Sequence, residues 1–137
     1  MIEADAVAVA ELAGELGYPG EAETIRARIE KIGDADLLLV AVTAADRPVA
    51  FIQAHRVCII EAGFRVEILG LVVSAKARRG GIGRRLIAEV EQWAASSGAE
   101  AVVVRSNTQR MDSHIFYPAL GYNQIKTQAV YARQLMG

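Results

Sequence analysis

The sequence predicts an α/β protein with a mixed central β-sheet flanked by helices. The chain has 137 residues, and 53% of them are hydrophobic, which is enough for one full core and so indicates a single domain over residues 1–137. Apolar residues recur at helical spacing in several stretches. Apolar runs of strand length alternate with these stretches and are bounded by glycine, proline and aspartate.

The elements follow one another without a repeat, a linker or a low-complexity tract. The predicted helices are Ala6 to Leu16, Glu21 to Ile32, Gly81 to about Ser97, and a short one near Ser113 to Leu120. The predicted strands are Leu37 to Thr43, Pro48 to Val57, Phe64 to Val73, Ala101 to Arg105 and Ile125 to Arg133. The first two helices are separated by Gly17-Tyr18-Pro19-Gly20, and the long helix stops at Gly98.

A basic, glycine-rich loop joins the third strand to the long helix. Its glycines, Gly80, Gly81 and Gly83, are surrounded by four arginines at positions 78, 79, 84 and 85. Arginines in a first helical turn have the wrong sign for the helix dipole, whose N-terminus prefers anions, and they also repel one another. The arrangement becomes favourable when backbone N–H groups, the dipole and the guanidinium groups together hold a polyanion. The loop therefore predicts a phosphate site.

Two better-known phosphate loops do not fit this stretch. A Walker loop needs a Lys-Ser/Thr pair after its second glycine, and none follows here. A dinucleotide fingerprint needs a third glycine where Leu86 stands, a glycine motif directly after a strand, and an acid that ends the next strand. A plain glycine turn beside solvated arginines remains the alternative.

The pattern Arg78-x-x-Gly81-x-Gly83 after Val72-Val73 resembles the acyl-CoA signature of the GNAT superfamily of N-acetyltransferases. The later stretch, from Arg105-Ser106-Asn107 to His114-Ile115-Phe116-Tyr117-Pro118-Ala119-Leu120-Gly121-Tyr122, resembles the second half of that family. The similarity is greatest to small bacterial members of general acetyltransferase type, which often carry Leu-Gly-Tyr-Pro early and Lys-Thr-Gln late, as here at 16–19 and 126–128.

The resemblance implies the GNAT fold and acetyl-CoA as cosubstrate. In the family, the strand that ends at Val73 splays away from its neighbour, often at a bulge, and its freed backbone binds the pantetheine arm; Gly70 is a suitable place for that irregularity. Glycines in the loop let the backbone approach the diphosphate without a Cβ. The implied cofactor-binding residues are Leu71, Val72, Val73, Arg78, Arg79, Gly80, Gly81, Ile82, Gly83, Arg84 and Asn107.

The resemblance also implies roles in catalysis. Tyr117 matches the family tyrosine that protonates the departing thiolate, as a phenol with a pKa near 10 can do. Glu67 is the candidate base for the acceptor ammonium, directly or through water, and its apolar flanks are expected to raise its pKa. His55 is a second candidate base. Packing or hydrogen bonding alone would also account for each of these residues.

The implied reaction is transfer of the acetyl group of acetyl-CoA to a primary amine of a small molecule, by direct attack in a ternary complex. The alternatives are acetylation of a protein N-terminus or lysine, as ribosomal-protein acetyltransferases do, and a non-catalytic acyl-CoA-binding regulatory domain. The family usually builds its acceptor pocket from the turn between the first helices and from neighbouring strands. That indicates Tyr18, Gln53 and His55, with Glu21 and Glu23 near the entrance.

Composition excludes several other classes. A net charge of −1 gives no global field that would recruit nucleic acid, and no apolar run approaches the roughly 20 residues of a membrane span. Acidic residues near the start oppose a signal peptide, and the single cysteine, Cys58, fits a reducing compartment. We therefore expect a cytoplasmic protein with no nucleic-acid partner, no membrane association and no metal.

One departure from the family concerns the sheet edge. Members usually begin with an edge strand before the first helix, and Met1-Ile2-Glu3 is too short to form one, so that strand is short or missing. An open edge invites pairing with another chain. We therefore expect a homodimer of two 14.7-kDa chains, with the strand at Ile125 to Arg133 near the contact.

Overall fold

The computed structural model describes residues 1–15, 17–18, 20–78, 80–106 and 111–136. These residues form two compact units, one from Met1 to Arg105 and a smaller one from Ser106 onwards. Among them, no helix combines the length and the apolar character that a bilayer crossing requires. That the chain forms a single domain stays a prediction.

The first unit contains a four-stranded sheet with helices. The helices are a 3₁₀ turn at Glu3–Asp5, α1 at Ala6–Glu15, α2 at Ala22–Lys31, a 3₁₀ turn at Ala75–Ala77 and α3 at Ile82–Ser96. The strands are β1 at Asp36–Val42, β2 at Pro48–Ile59, β3 at Gly63–Val73 and β4 at Val102–Val104. The predicted elements up to residue 105 are therefore confirmed to within a few residues at their ends.

The sheet is mixed, with the order β1-β2-β3-β4. The first three strands are antiparallel neighbours, and β4 lies parallel to β3 after the crossover through α3. No strand precedes α1 among the described residues, because Glu3–Asp5 is a 3₁₀ turn. The missing first edge strand agrees with the sequence prediction, and β1 occupies the edge of the sheet.

The core lies between α3 and one face of the sheet. Ala50, Ile52 and Ala54 alternate along β2 and are fully buried. Arg56 continues this face, and its guanidinium lies 5.1 Å from the centroid of the Trp93 ring on α3. The buried α3 residues Leu86, Ile87, Val90 and Ala94 recur at helical spacing. The opposite face of β2 carries Phe51 and then the polar side chains of Gln53 and His55, and we refer to the part of the sheet around His55 as its polar face.

An irregularity interrupts β3 beside Gly70. Glu67 pairs with His55 and Ile68 with Ala54, but the next pair is Gly70 with Gln53, so Leu69 is an extra residue. The side chain of Leu69 is 52% exposed. This is a β-bulge, which bends a strand and increases its twist. The irregularity predicted at Gly70 is present one residue earlier.

The bulge coincides with the point where β3 and β4 part. β4 pairs only with Val66, Glu67 and Ile68 of β3. Within the described residues, the stretch from Leu69 to Val73 pairs with β2 on one side and has no strand partner on the other. Its outward N–H and C=O groups are therefore available to a ligand.

The second unit contains α4 at Met111–Ala119, which confirms the predicted short helix. The strand predicted at Ile125 to Arg133 is wrong, because residues 123–134 are neither strand nor helix. Ile125, Val130 and Tyr131 are 71%, 87% and 92% exposed. Alternation in a sequence predicts two faces, but a strand also needs a neighbouring strand for its backbone hydrogen bonds.

Candidate active site

Short hydrogen bonds hold the loop after β3 in place. The Ser74 N–H donates to the Val49 carbonyl at 2.8 Å, and the Ala75 N–H donates to a Glu15 carboxylate oxygen at the end of α1 at 3.0 Å. Arg78 folds back, and its Nε donates to the Val73 carbonyl at 3.2 Å. The loop is therefore fixed to the strand end, to β2 and to α1 before α3 begins.

The N-terminus of α3 is built without a side-chain cap. Its cap residue, Gly81, has a left-handed backbone with φ +78°, and no side chain bonds the first turn. A Cβ built on Gly81 would meet nothing within 4 Å, so space lies in front of the backbone. Uncapped N–H groups at a helix N-terminus favour a bound anion.

Basic side chains surround this helix terminus. Arg78, Arg84 and Arg85 are exposed, and the latter two make no ion pair within the described part of the chain. Ile82 and Gly83 are half-buried and Gly80 is exposed. Arg79, which the sequence also assigned to this site, lies outside the described residues. The terminus therefore combines open N–H groups with unneutralised positive charge.

The open edge of β3 leads directly to this terminus. Leu71 and Val73 are half-buried and Val72 is buried, so their side chains are fixed while one edge of their backbone has no strand partner in the described chain. The sheet thus presents an extended backbone edge that ends at a basic, glycine-rich loop. These two features lie in one unit and are contiguous in sequence.

Glu67 lies in a half-buried ion-pair cluster on the polar face of the sheet. One carboxylate oxygen accepts from Arg65 at 2.9 Å, and the other accepts from Arg105 at 2.6 Å. The side chains of Glu67 and Arg65 are only 13% and 12% exposed, whereas that of Arg105 is 50% exposed. Both carboxylate oxygens therefore already have a cationic partner.

The expectation that the pKa of Glu67 is raised is wrong. Burial acts in that direction and is the largest single influence. The hydrogen bonds and charges of Arg65 and Arg105 together outweigh it, so the pKa of Glu67 is lowered from its ordinary value. The sequence showed the apolar flanks of Glu67, but it did not show that two arginines converge on its carboxylate.

This shift predicts how stability depends on pH. Because folding lowers the pKa of Glu67, its contribution is full above the ordinary glutamate pKa of about 4.3 and is lost as the pH falls through the folded-state value. We expect Glu67→Gln to lower the free energy of unfolding by about 1–3 kcal/mol at neutral pH. Urea unfolding over a pH series should show the difference shrinking below about pH 4. The exposed Glu89 offers a control, Glu89→Gln, which should change little; a Glu67→Gln deficit that is constant with pH would contradict the prediction.

A carboxylate that the sequence analysis missed, Asp36, lies on the same polar face. It begins β1 directly opposite His55 on β2. One of its oxygens contacts His55 Nδ1 at 2.5 Å, and the other accepts from Gln53 Nε2 at 2.8 Å. The signal for Asp36 in the sequence was the position of an acid just before an apolar run. Its contact with His55, however, depends on the register of β1 on β2.

The remaining predicted residues are not all brought to this face. Tyr18 is 65% exposed after α1. Tyr117 lies on α4 in the second unit, where its ring makes edge-to-face contacts with Phe116 at 5.0 Å and Tyr122 at 5.9 Å. Asn107 lies outside the described residues. Glu67, Gln53 and His55 are therefore the predicted residues that the first unit gathers on its polar face.

These features define an α/β protein in which an open strand edge is followed by an uncapped, basic helix terminus. The chain belongs to the acetyltransferase (GNAT) family, whose model matches residues 8–122. This confirms the family that the glycine–arginine loop and the Phe-Tyr helix predicted.

Individual relatives agree with this membership. The chain is 30% identical over 66 residues to the aminoglycoside N(6')-acetyltransferase type 1 of Serratia marcescens, a match that covers 48% of this chain and 45% of that protein. The chain thus spans about half the length of the curated relative that it matches.

Solved structures show the same fold at low identity. A transcriptional regulator from Bacillus halodurans C-125 superposes with a TM-score of 0.85 at 23% identity, covering 97% of this chain and 96% of that one. AAC(6')-Iy, in complex with the bisubstrate analogue CoA-S-monomethyl-acetylneamine, superposes with a TM-score of 0.83 at 18% identity, covering 98% and 95%. At these identities the likeness concerns the fold alone.

Proposed function

We propose that this chain is an acetyl-CoA-dependent N-acetyltransferase that acetylates a primary amine of a small molecule by direct attack in a ternary complex. The observation that carries the proposal is the parting of β3 and β4 after Ile68, which leaves a backbone edge leading to the N-terminus of α3. The pantetheine arm of CoA contains amides that can pair with such an edge as a further strand would. Its diphosphate then meets the helix terminus.

Different residues of the loop are proposed to bind different parts of CoA. Gly80, Gly81 and Gly83 allow the backbone to approach the diphosphate, and the N–H groups from residue 82 onwards donate to it. Arg84 supplies charge from the first turn. The Nε of Arg78 donates a hydrogen bond to the Val73 carbonyl, so its terminal nitrogens are the ones that reach a phosphate. The family pattern adds Arg79 and Asn107 to this set.

The reaction needs proton movements at the nitrogen and at the sulfur. The acceptor must reach the thioester as a neutral amine, because an ammonium has no lone pair. Its nitrogen then bonds to the carbonyl carbon as the carbon–sulfur bond breaks; a second proton leaves that nitrogen to give the amide, and the departing thiolate takes up an equivalent proton. We assign Tyr117 to that last step. The candidates to receive the proton of the amine, directly or through water, are Glu67 and His55, and Tyr18 and Gln53 are proposed to contact the acceptor.

Arginine variants test where the cofactor phosphates lie. We expect Arg84→Ala to weaken CoA by about 1.5–3 kcal/mol, the value of a charged hydrogen bond, and to weaken dephospho-CoA much less. Calorimetry with both ligands measures this. Arg85→Ala, one residue further along the same turn, is the matched control for general charge. Equal losses with both ligands would place Arg84 away from the 3′-phosphate.

Release of free thiol from acetyl-CoA is the experiment that tests the function. The panel of acceptors should contain an aminoglycoside, a polyamine, an amino sugar phosphate and peptides with a free N-terminus or lysine. Turnover with a small amine is the expected result. Preference for a peptide would favour the protein-modifying alternative, for which the sequence offers no separate signal. CoA binding without turnover on any acceptor would favour a non-catalytic regulatory module.

We also propose that the chain acts as a homodimer in the cytosol. The outer edge of β1 has no strand partner within the described residues, and exposed apolar side chains at Ile125, Val130 and Tyr131 lie in the second unit. Light scattering should give about twice the chain mass of 14.7 kDa. A single species of monomer mass at micromolar concentration would contradict the dimer. The cytosolic location rests on the single cysteine.

A further inference from the structure

Three ionisable side chains form a row across the polar face of the sheet. Asp36 on β1 pairs with His55 on β2, and His55 pairs with Glu67 on β3. Residues directly opposite one another in antiparallel strands place their side chains on the same face, with Cβ atoms about 5 Å apart. The imidazole therefore lies between two carboxylates, and the two are held very differently.

Both carboxylate oxygens of Asp36 contact neighbouring side chains and orient them. Its side chain is 10% exposed, one oxygen contacts His55 Nδ1 and the other accepts from Gln53 Nε2. A carboxylate on Nδ1 holds the proton on that nitrogen, so in the neutral ring Nε2 carries the lone pair. The side chain of His55 is 38% exposed, so the imidazole remains accessible to a ligand.

Glu67 is less suited to accept a proton. Arg65 and Arg105 occupy its two carboxylate oxygens. A proton placed on Glu67 would weaken both ion pairs, and the pKa of this carboxyl is lowered accordingly. Glu67, whose carboxylate has two cationic partners, therefore has a structural role. His55, in contrast, has a single orienting partner, Asp36.

The register also brings His55 close to the open edge. Gln53, two residues along β2, pairs with Gly70, the first residue after the bulge. Two residues of an antiparallel strand span about 7 Å. The imidazole therefore lies on the same face as Gly70, two residues along β2 from the point where the open edge begins.

We propose that His55 is the general base of the acetyl transfer and that Asp36 is its positioning residue, an inference that rests on the proposed acetyltransferase function. The acceptor ammonium gives one proton to His55 Nε2, which becomes an imidazolium. The freed lone pair forms the new bond to the acetyl carbon as the bond to sulfur breaks, the nitrogen then releases a second proton to give the amide, and the thiolate takes up a proton separately. Asp36 stabilises the imidazolium, as an acid behind a histidine does in hydrolase triads. The other charged groups on this face are Arg65 and Glu67 on β3 and Arg105 after β4.

Chemical rescue tests this assignment. We expect His55→Ala to lower kcat/KM for the best amine of the panel about 100-fold at neutral pH, the usual value of general base catalysis. Added imidazole should restore at least part of the lost rate, because it replaces the missing ring. The affinity for CoA, measured by calorimetry, should be unchanged and shows that the variant is folded. A purely structural histidine would not give rescue.

Two further variants complete the experiment. Asp36→Asn should lower kcat about 10-fold, because the His55 ring loses its orienting carboxylate. The KM for acetyl-CoA should stay the same. His114→Ala, at the only other histidine in the chain, should keep its rate and show no response to imidazole. If His55→Gln and His55→Ala both keep the wild-type rate, or lose it without rescue, the assignment is overturned while the acetyltransferase function stands. A wild-type protein that binds CoA but acetylates no amine would overturn both.

Discussion

Gly81→Asp abolishes the binding of CoA while the protein keeps its fold. The glycine caps α3 at φ +78°, and a side chain added there would point into open space, where we place the diphosphate. A carboxylate at that point would face another anion, and like charges brought together cost several kcal/mol. We expect calorimetry to show affinity for CoA reduced about 100-fold or more, with a thermal midpoint lowered only by the strain of a side chain at φ +78°.

Two controls separate charge from backbone strain in this variant. Gly81→Asn adds a side chain of the same shape, and asparagine tolerates the left-handed region as well as aspartate does, so it should retain part of the affinity. Gly98→Asp places the same residue on a left-handed glycine at the other end of the helix, where φ is +81°. It should leave CoA binding intact. Unchanged affinity in Gly81→Asp would refute the phosphate site.

Tyr117→Phe lowers kcat about 100-fold, and the affinity for CoA changes little. In the proposed reaction the phenol gives a proton to the thiolate as the carbon–sulfur bond breaks, and general acid catalysis is worth about this much. The ring contacts with Phe116 and Tyr122 need no hydroxyl, so the variant should keep the packing of α4. Steady-state kinetics with the best amine of the panel measures the effect.

Tyr122→Phe is the matched control, because it removes a hydroxyl from the neighbouring ring. We expect its kcat to stay within a few-fold of the wild type. If Tyr117→Phe is as active as the Tyr122 variant, the proton comes from water and Tyr117 serves packing alone.

The first unit was predictable because its signals are local. The alternation along β2, the helical spacing in α3 and the glycines and arginines between strand and helix all lie within short windows of sequence. The loop that carries the candidate phosphate site is also one continuous segment. Its position after β3 and before α3 follows from those neighbouring elements.

Features that depend on distant residues were not predictable in the same way. The lowered pKa of Glu67 requires Arg105, which follows a different strand. The contact between Asp36 and His55 requires the register of β1 on β2. The strand expected at Ile125 to Arg133 failed for the related reason that alternation does not supply a pairing partner. In each case the missing information is which strand lies beside which, and in what register.

The extra residue Leu69 divides β3 into two segments whose side chains alternate out of step with each other. Before it, Arg65 and Glu67 share the face of His55; after it, Gly70 and Val72 share the face of Gln53 and Phe51, so odd positions give way to even ones. Deleting Leu69 would leave Gly70 opposite Gln53 and Val72 opposite Phe51 on their present face, but it would remove the bulge at which β3 parts from β4. A one-residue length change in this strand is therefore a larger alteration than most substitutions within it.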